Sequence, residues 1–479
     1  MPKYSEKCEI RLKKAWKNVK TILYLHNIQL IIRVMTLQRK IDKFLCDWKK
    51  EANHLPLIIK GARQIGKTYS ICKFGNENYK SFININFILQ PEYQTIFDDG
   101  YEVEKIIRNI SFINPAINFL NGQTLILFDE LQRCPQCATA LKSFALDQRF
   151  DVICSGSLMG LNYREIESNA VGYKNDIEMY SLDFEEFLWA KGYDSSQIEY
   201  IYDKMRRIEP LSTTEFNTLS DIFRDYMVVG GMPAVIKSYI EQGNFSKTLQ
   251  IQTQLLIDYR EDITKYAEGL DKAKILAVYD HISTFLAKDN KKFQITKIGR
   301  NSRNREYVGV IDWLASAGIV NVCYNLQILE LPLKGNYNPD MYKLYYQDTG
   351  LLVASLDQEA QEDLRKNRNF GTYKGALFEN IVGDMLRKQG YNLFYFRNEK
   401  SSLELDFILR DMQSLVPIEV KAGNNVSRSL VKAVSGSFDD IKYGIKLANS
   451  NIGFNGKFFT FPYFCGFLLR RFLSEEKHL

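Results

Sequence analysis

Residues 61–68 read Gly-Ala-Arg-Gln-Ile-Gly-Lys-Thr and match GxxxxGK[ST] at every fixed position; the apolar stretch Leu55 to Lys60 runs straight into them. A strand, a glycine-bearing loop and a helix start are the parts of a phosphate cradle. The glycines let backbone N–H groups turn inward around an anion, and the helix adds its positive end. Gly61, Ala62, Arg63, Gln64, Ile65, Gly66, Lys67 and Thr68 are therefore the candidate triphosphate-binding residues. Lys67 is expected to reach the terminal phosphates and Thr68 to place its hydroxyl on magnesium.

A cradle of this kind sits at the carboxyl edge of a parallel sheet, and the flanking sequence supplies one. Leu55–Lys60, Phe82–Phe87, Thr124–Phe128, Val152–Ser155 and Ile177–Leu182 read as strands separated by helical stretches, the pattern of an α/β fold. The third strand ends in Asp129 and Glu130 after four apolar residues. Asp129 is the expected magnesium partner, and Glu130 the group that polarises the attacking water. With Lys67, Glu130 is the candidate catalytic residue. Ser155 and Ser157, at the end of the next strand, are candidate sensors of the terminal phosphate.

At 479 residues the chain is too long for one core, and length alone suggests roughly three domains. The organisation expected is a basic extension over 1–34, a P-loop core over 35–183, a helical lid over 184–274, a winged-helix-like module over 275–335 and an α/β domain over 336–479. The formal charge of +6 sits in the extension, where eight basic residues face only Glu6 and Glu9; the other 445 residues sum to zero. Net charge therefore gives no support for a nucleic-acid partner. Met35 is an alternative start. Eight scattered cysteines suit reduced thiols in a cytoplasmic protein, and Cys134 and Cys137 read as helix-start residues lacking two further zinc ligands. The run Thr21 to Val34 is too short and too polar to span a bilayer.

A guanine-specific [NT]KxD motif and the LSGGQ transporter signature are absent, so ATP is the expected nucleotide. The ordered series GARQIGKT (61–68), FDELQRCPQCATALKSF (128–144), CSGSLMG (154–160), SLDFEEFLWA (181–190), VGGMPAV (229–235), DYREDITKYAE (258–268) and YYQDTGLL (345–352) resembles the bacterial and archaeal AAA-type ATPases that end in a DUF4143 domain. Where many such proteins carry Gly-Arg before the fifth core strand, this chain has Gly172-Tyr173. The resemblance also implies an arginine finger, for which Arg63, Arg133, Arg149 and Arg164 are the nearby candidates.

In the last domain, Glu379 on a helix, Asp406, Glu419 and Lys421 fall in the order used by metal-dependent nucleases of the PD-(D/E)XK type. Alternation on a strand puts Glu419 and Lys421 on one face, and the resemblance implies the same restriction-endonuclease-like fold. In the winged-helix-like module, Tyr307, Val310, Ile311 and Leu314 form one helical face, with Ile319 to Tyr324 as a wing. Lys297, Arg300, Arg303 and Arg305 precede it as a face for phosphate, so DNA and a partner protein both remain open there, as does oligomerisation. Three functions follow: an ATP-hydrolysing conformational switch, an ATP-gated magnesium-dependent nuclease, and a nucleotide-binding interaction module with little hydrolysis.

Overall fold

The structure, a computed structural model, describes residues 37–157, 170–267, 272–286, 306–366, 370–398, 403–421, 427–436 and 438–475. Five strands, β1 (Leu57–Gly61), β2 (Ser81–Asn86), β3 (Thr124–Asp129), β4 (Asp151–Ser157) and β5 (Asn175–Met179), form a sheet in the order β2-β3-β4-β1-β5. All four pairings are parallel.

Successive side chains on a strand point to opposite faces, and this explains the uninterrupted apolar runs. Leu57, Ile59, Leu125, Leu127 and Ile153 enter one core, whereas Ile58, Ile83, Ile126, Phe128, Val152 and Cys154 enter the other. The first face is covered by α1 (Lys40–Lys50) through Ile41, Leu45 and Trp48, and by α2 (Lys67–Asn78) through Ile71 and Phe74. The second is covered by α3 (Val103–Ile113) and α4 (Gln136–Asp147). Both helix pairs bury residues at three- and four-residue spacing.

Five helices follow: α5 (Phe184–Ala190), α6 (Ser195–Arg207), α7 (Thr213–Val229), α8 (Pro233–Gln242) and α9 (Thr248–Tyr266). Asp183, Asp194 and Ser212 cap α5, α6 and α7, each in a capping box, and Pro233 occupies the first turn of α8, where its missing N–H costs nothing. Next come α10 (Lys272–Leu286) and α11 (Val308–Ser316).

The strand expected as a wing takes a different place. It is β6 (Val320–Leu326), antiparallel to β7 (Tyr337–Tyr346) and parallel to β8 (Leu393–Asn398); with β9 (Leu403–Leu405) these form a mixed sheet in the order β7-β6-β8-β9. A strand paired on both edges buries residues on both faces, as Val320, Cys323 and Leu326 do. The boundary expected at residue 335 thus cuts through a sheet. Lys297, Arg300, Arg303 and Arg305 lie outside the described residues.

The remaining chain adds α12 (Thr349–Ala354), α13 (Gln358–Arg365), α14 (Phe370–Lys388), α15 (Arg428–Ser435) and α16 (Leu469–Leu473), together with a second mixed sheet. That sheet runs β10-β11-β12-β14-β13, from β10 (Phe407–Arg410), β11 (Leu415–Lys421), β12 (Gly444–Ala448), β13 (Gly453–Phe454) and β14 (Phe458–Pro462). This part is joined to the rest by apolar contact: Phe184 meets Phe467 with ring centroids 5.6 Å apart, and Phe223 stacks on Tyr463 at 6.4 Å. Among the described residues no helix is long and apolar enough to cross a membrane.

Candidate functional site

The loop from Gly61 to Thr68 links β1 to α2 at the carboxyl edge of the parallel sheet. Gly66 precedes the helix at φ 92°, ψ 19°, a left-handed conformation that glycine adopts without a Cβ clash. Lys67 folds back into the loop and donates to the carbonyls of Gly61 (3.1 Å) and Ala62 (2.7 Å). Burial pushes its ammonium down to about 8, against the pull of Glu130 and Asp129.

Across from the loop, Thr68 Oγ1 lies 3.2 and 3.1 Å from the two carboxylate oxygens of Asp129. The same carboxylate accepts from Asn86 Nδ2 at 2.9 Å and from the Ser155 hydroxyl. The strand order explains the convergence: β4 lies between β1 and β3, so Ser155 stands beside Asp129. Ser157, in register with Gly61, has a buried Oγ with no hydrogen-bond partner among the described residues. An orphaned hydroxyl beside the loop suits an incoming phosphate oxygen. Glu130 sits in a left-handed conformation (φ 62°, ψ 48°), and its carboxylate accepts from the Gln132 side-chain amide. A hydroxyl and a carboxylate in contact are hard oxygen donors of the kind magnesium takes while keeping several waters, so Thr68 and Asp129 fit that ion.

The geometry therefore gathers Lys67, Thr68, Asp129, Glu130, Ser155 and Ser157. Arg63 and Gln64 turn their side chains away from the loop, to Asp262 and, at 2.7 Å, Asp258 on α9. Sequence reasoning missed several polar neighbours. Asn86 had a weak signal, a polar residue closing an apolar strand. Arg39, which donates to Ile65 O (2.8 Å), Tyr180 O (2.7 Å) and Glu186 (3.1 Å), had none.

Of the four arginines considered as fingers, Arg149 is bound by Asp147 (2.8 Å) and Glu104 (2.7 Å) next to the amino end of β4, away from the phosphate cradle. Arg63 is ion-paired with Asp262. Arg133 is exposed three residues from Glu130, and Arg164 lies outside the described residues. Cys134 and Cys137 are buried, with Cys137 Sγ 3.7 Å from Cys154 Sγ; burial pushes the Cys134 thiol up to about 12.

Each of the C-terminal acids is engaged by a lysine or a backbone N–H. Glu379 Oε1 accepts from Lys343 Nζ and Tyr345 OH, each at 2.7 Å, and Lys343 and Glu379 are each 2% exposed. Burial alone would depress the Lys343 ammonium, but Glu379, then Asp406 and Glu404, override it and hold it charged. Asp406 Oδ2 accepts from the Val420 N–H at 2.8 Å. Glu419 and Lys421 share a face of β11 and pair at 2.7 Å, which leaves Glu419 Oε2 buried without a partner among the described residues. Among the described residues, no group of three or more His, Cys, Asp or Glu side chains is placed to hold a metal.

Three family descriptions match the chain: an AAA domain over residues 53–188, a domain of unknown function (DUF8612) over 220–362 and a domain of unknown function (DUF4143) over 374–464. A relative, the uncharacterized protein MJ1544 of Methanocaldococcus jannaschii, is 23% identical over 394 residues, covering 80% of this chain and 79% of its own. Among solved structures, the Walker-type ATPase PABY2304 of Pyrococcus abyssi is 14% identical, with 67% of this chain and 96% of that one covered and a TM-score of 0.41. AMPPCP-bound DnaA from Aquifex aeolicus is 13% identical, with 57% and 85% covered and a TM-score of 0.27.

Proposed function

We propose that this chain, which carries an AAA domain followed by a DUF4143 domain, binds ATP with magnesium on the loop Gly61–Thr68, hydrolyses it, and uses the cycle as a conformational switch. The observation that carries the reading is the convergence of Lys67 and Thr68, after β1, with Asp129 and Glu130, at the end of β3, across the intervening β4 whose Ser155 bonds Asp129; it supports both binding and hydrolysis.

Inward loop N–H groups and the amino end of α2 hold the phosphates. The Lys67 ammonium, which donates to the Gly61 and Ala62 carbonyls, exchanges them for phosphate oxygens. Thr68 and Asp129 would hold magnesium, which would supply positive charge against the charge developing on the transferred group. Glu130 is the base: once free of Gln132, its carboxylate orients the attacking water and takes its proton. Ser155 keeps Asp129 in place, and Ser157 offers its hydroxyl to the terminal phosphate. The lid helices rest on the loop and on the C-terminal part, and so lie in the path by which a change at the nucleotide spreads. Purified protein should release phosphate from magnesium-ATP, with release lost in Lys67→Ala and Glu130→Gln. No release from the unmutated protein would remove hydrolysis and leave a nucleotide-binding interaction module.

A second reading, favoured by the orphaned Glu419 Oε2, makes Asp406, Glu419 and Lys421 a magnesium-dependent phosphodiesterase site on DNA. Two carboxylates and water suffice for that ion. Cleavage of plasmid DNA that disappears in Asp406→Ala and Lys421→Ala would support it; an inert protein across DNA and RNA substrates would reject it.

A further inference from the structure

In a trans peptide the C=O and the following N–H point to opposite sides. Fixing a carbonyl outside a loop therefore fixes the next N–H inside it. Two peptide units of the phosphate loop are held this way. Tyr259 OH, on α9, donates to Arg63 O at 2.8 Å, and Arg39 Nη1 donates to Ile65 O at 2.8 Å. The N–H groups of Gln64 and Gly66 are thereby turned to the other side of their peptides. Asp258 and Asp262, one helical turn apart on α9, hold the Gln64 and Arg63 side chains, so α9 grips this stretch through both its backbone and its side chains.

Tyr259 does not end the chain of bonds. Its hydroxyl accepts from Gln347 Nε2 at 2.8 Å. The next residue, Asp348, is fully buried between β7 and α12, and it accepts from Gly231 N (2.7 Å), Ser181 Oγ (2.9 Å) and Gly350 N (3.0 Å). Hydrogen bonds thus lead from a phosphate-loop peptide through Tyr259 to Gln347, and the backbone carries the path on to Asp348, whose own bonds reach the α7–α8 turn.

We propose that Tyr259 is a positioning residue of the nucleotide site and the joint through which its occupancy is relayed to Gln347 and Asp348. Any movement of peptide 63–64 on nucleotide binding pulls on the Tyr259 hydroxyl, and reciprocity requires that a shift of Gln347 alter nucleotide affinity in turn. The proposal rests on the ATP-binding reading above.

Two variants separate the roles. Tyr259→Phe keeps the buried ring and removes both bonds; magnesium-ATP affinity, measured by titration, should fall about fivefold, the worth of one buried hydrogen bond. Gln347→Leu cuts only the relay; its affinity should change by about twofold at most, the small reciprocal effect of the lost coupling, while the ATP-dependent change in amide-hydrogen exchange at Gly231 and Gly350 disappears. A structural role alone would lower the melting temperature without abolishing that response. Unchanged affinity in Tyr259→Phe, or an undiminished exchange response in Gln347→Leu, would overturn the proposal. Failure of the unmutated protein to bind ATP would overturn the underlying reading as well.

Discussion

Asp348 lets the interlock between the sheet, the helices that follow it and the C-terminal part be tested quantitatively. Its carboxylate satisfies two backbone N–H groups, of Gly231 and Gly350, and the Ser181 hydroxyl, at full burial. Replacement by alanine strands both N–H groups, since a hydroxyl can rotate to another acceptor but a peptide N–H cannot. Each stranded donor costs about 1–3 kcal/mol, and release of a buried carboxylate returns part of that, so Asp348→Ala should destabilise by about 3 kcal/mol. Asparagine is isosteric. Its oxygen retains Gly231 and Ser181, but its NH₂ faces the Gly350 N–H, so Asp348→Asn should cost about 1.5 kcal/mol. Ser181→Ala, with one bond lost, should cost about 1 kcal/mol. Urea unfolding of the three variants should give that order, with exchange protection lost first at Gly350 in the asparagine variant and at both glycines in the alanine variant. Equal midpoints for the asparagine variant and the unmutated protein, with Gly350 still protected, would refute the reasoning.

Gly230→Ala should be strongly destabilising by thermal melt, because at φ 74° its new Cβ would stand 2.1 Å from Asp348 Oδ1 and 2.6 Å from Gly350 N. Lys343→Met leaves Glu379 buried without its cation and should lose about 3–5 kcal/mol in a denaturant titration, whereas Lys343→Met with Glu379→Gln should recover most of the loss. His54 is bonded to Asp151 at 2.9 Å, which raises its pKa above the ordinary 6.5. The contribution to stability is therefore full below pH 6.5 or so and is lost as pH rises through the folded value. Urea midpoints should fall over that interval in the unmutated protein and stay flatter in His54→Gln. The Trp48 ring, 4.3 Å from the imidazole, offers a fluorescence readout of the same titration.

The parallel sheet and its nucleotide motif were legible because they are local. The strand, loop and helix start around Gly61–Thr68 are contiguous, and Asp129 and Ser155 follow from the ends of apolar runs. The missed parts are joined over long sequence distances. Arg39 pairs with Glu186 and Arg63 with Asp262, and no periodicity marks either, since tertiary packing alone brings them together. The run from Ile319 to Tyr324 was misplaced for a related reason. A short apolar strand reads the same as a two-stranded wing or as the interior of a larger sheet, and only the partners β7 and β8 decide. Glu379 fits a nuclease pattern in sequence order, but it accepts from Lys343 and Tyr345, both on β7.

The central claim is that the Gly61–Thr68 loop and the Asp129–Glu130 pair form one ATP site. Titration of a fluorescent ATP analogue with magnesium tests it most directly. The account predicts saturable binding by the unmutated protein, retained binding without turnover in Glu130→Gln, and binding weakened at least tenfold or so in Lys67→Ala, which lacks the charge that meets the phosphates. Equal affinity of Lys67→Ala and the unmutated protein would contradict it.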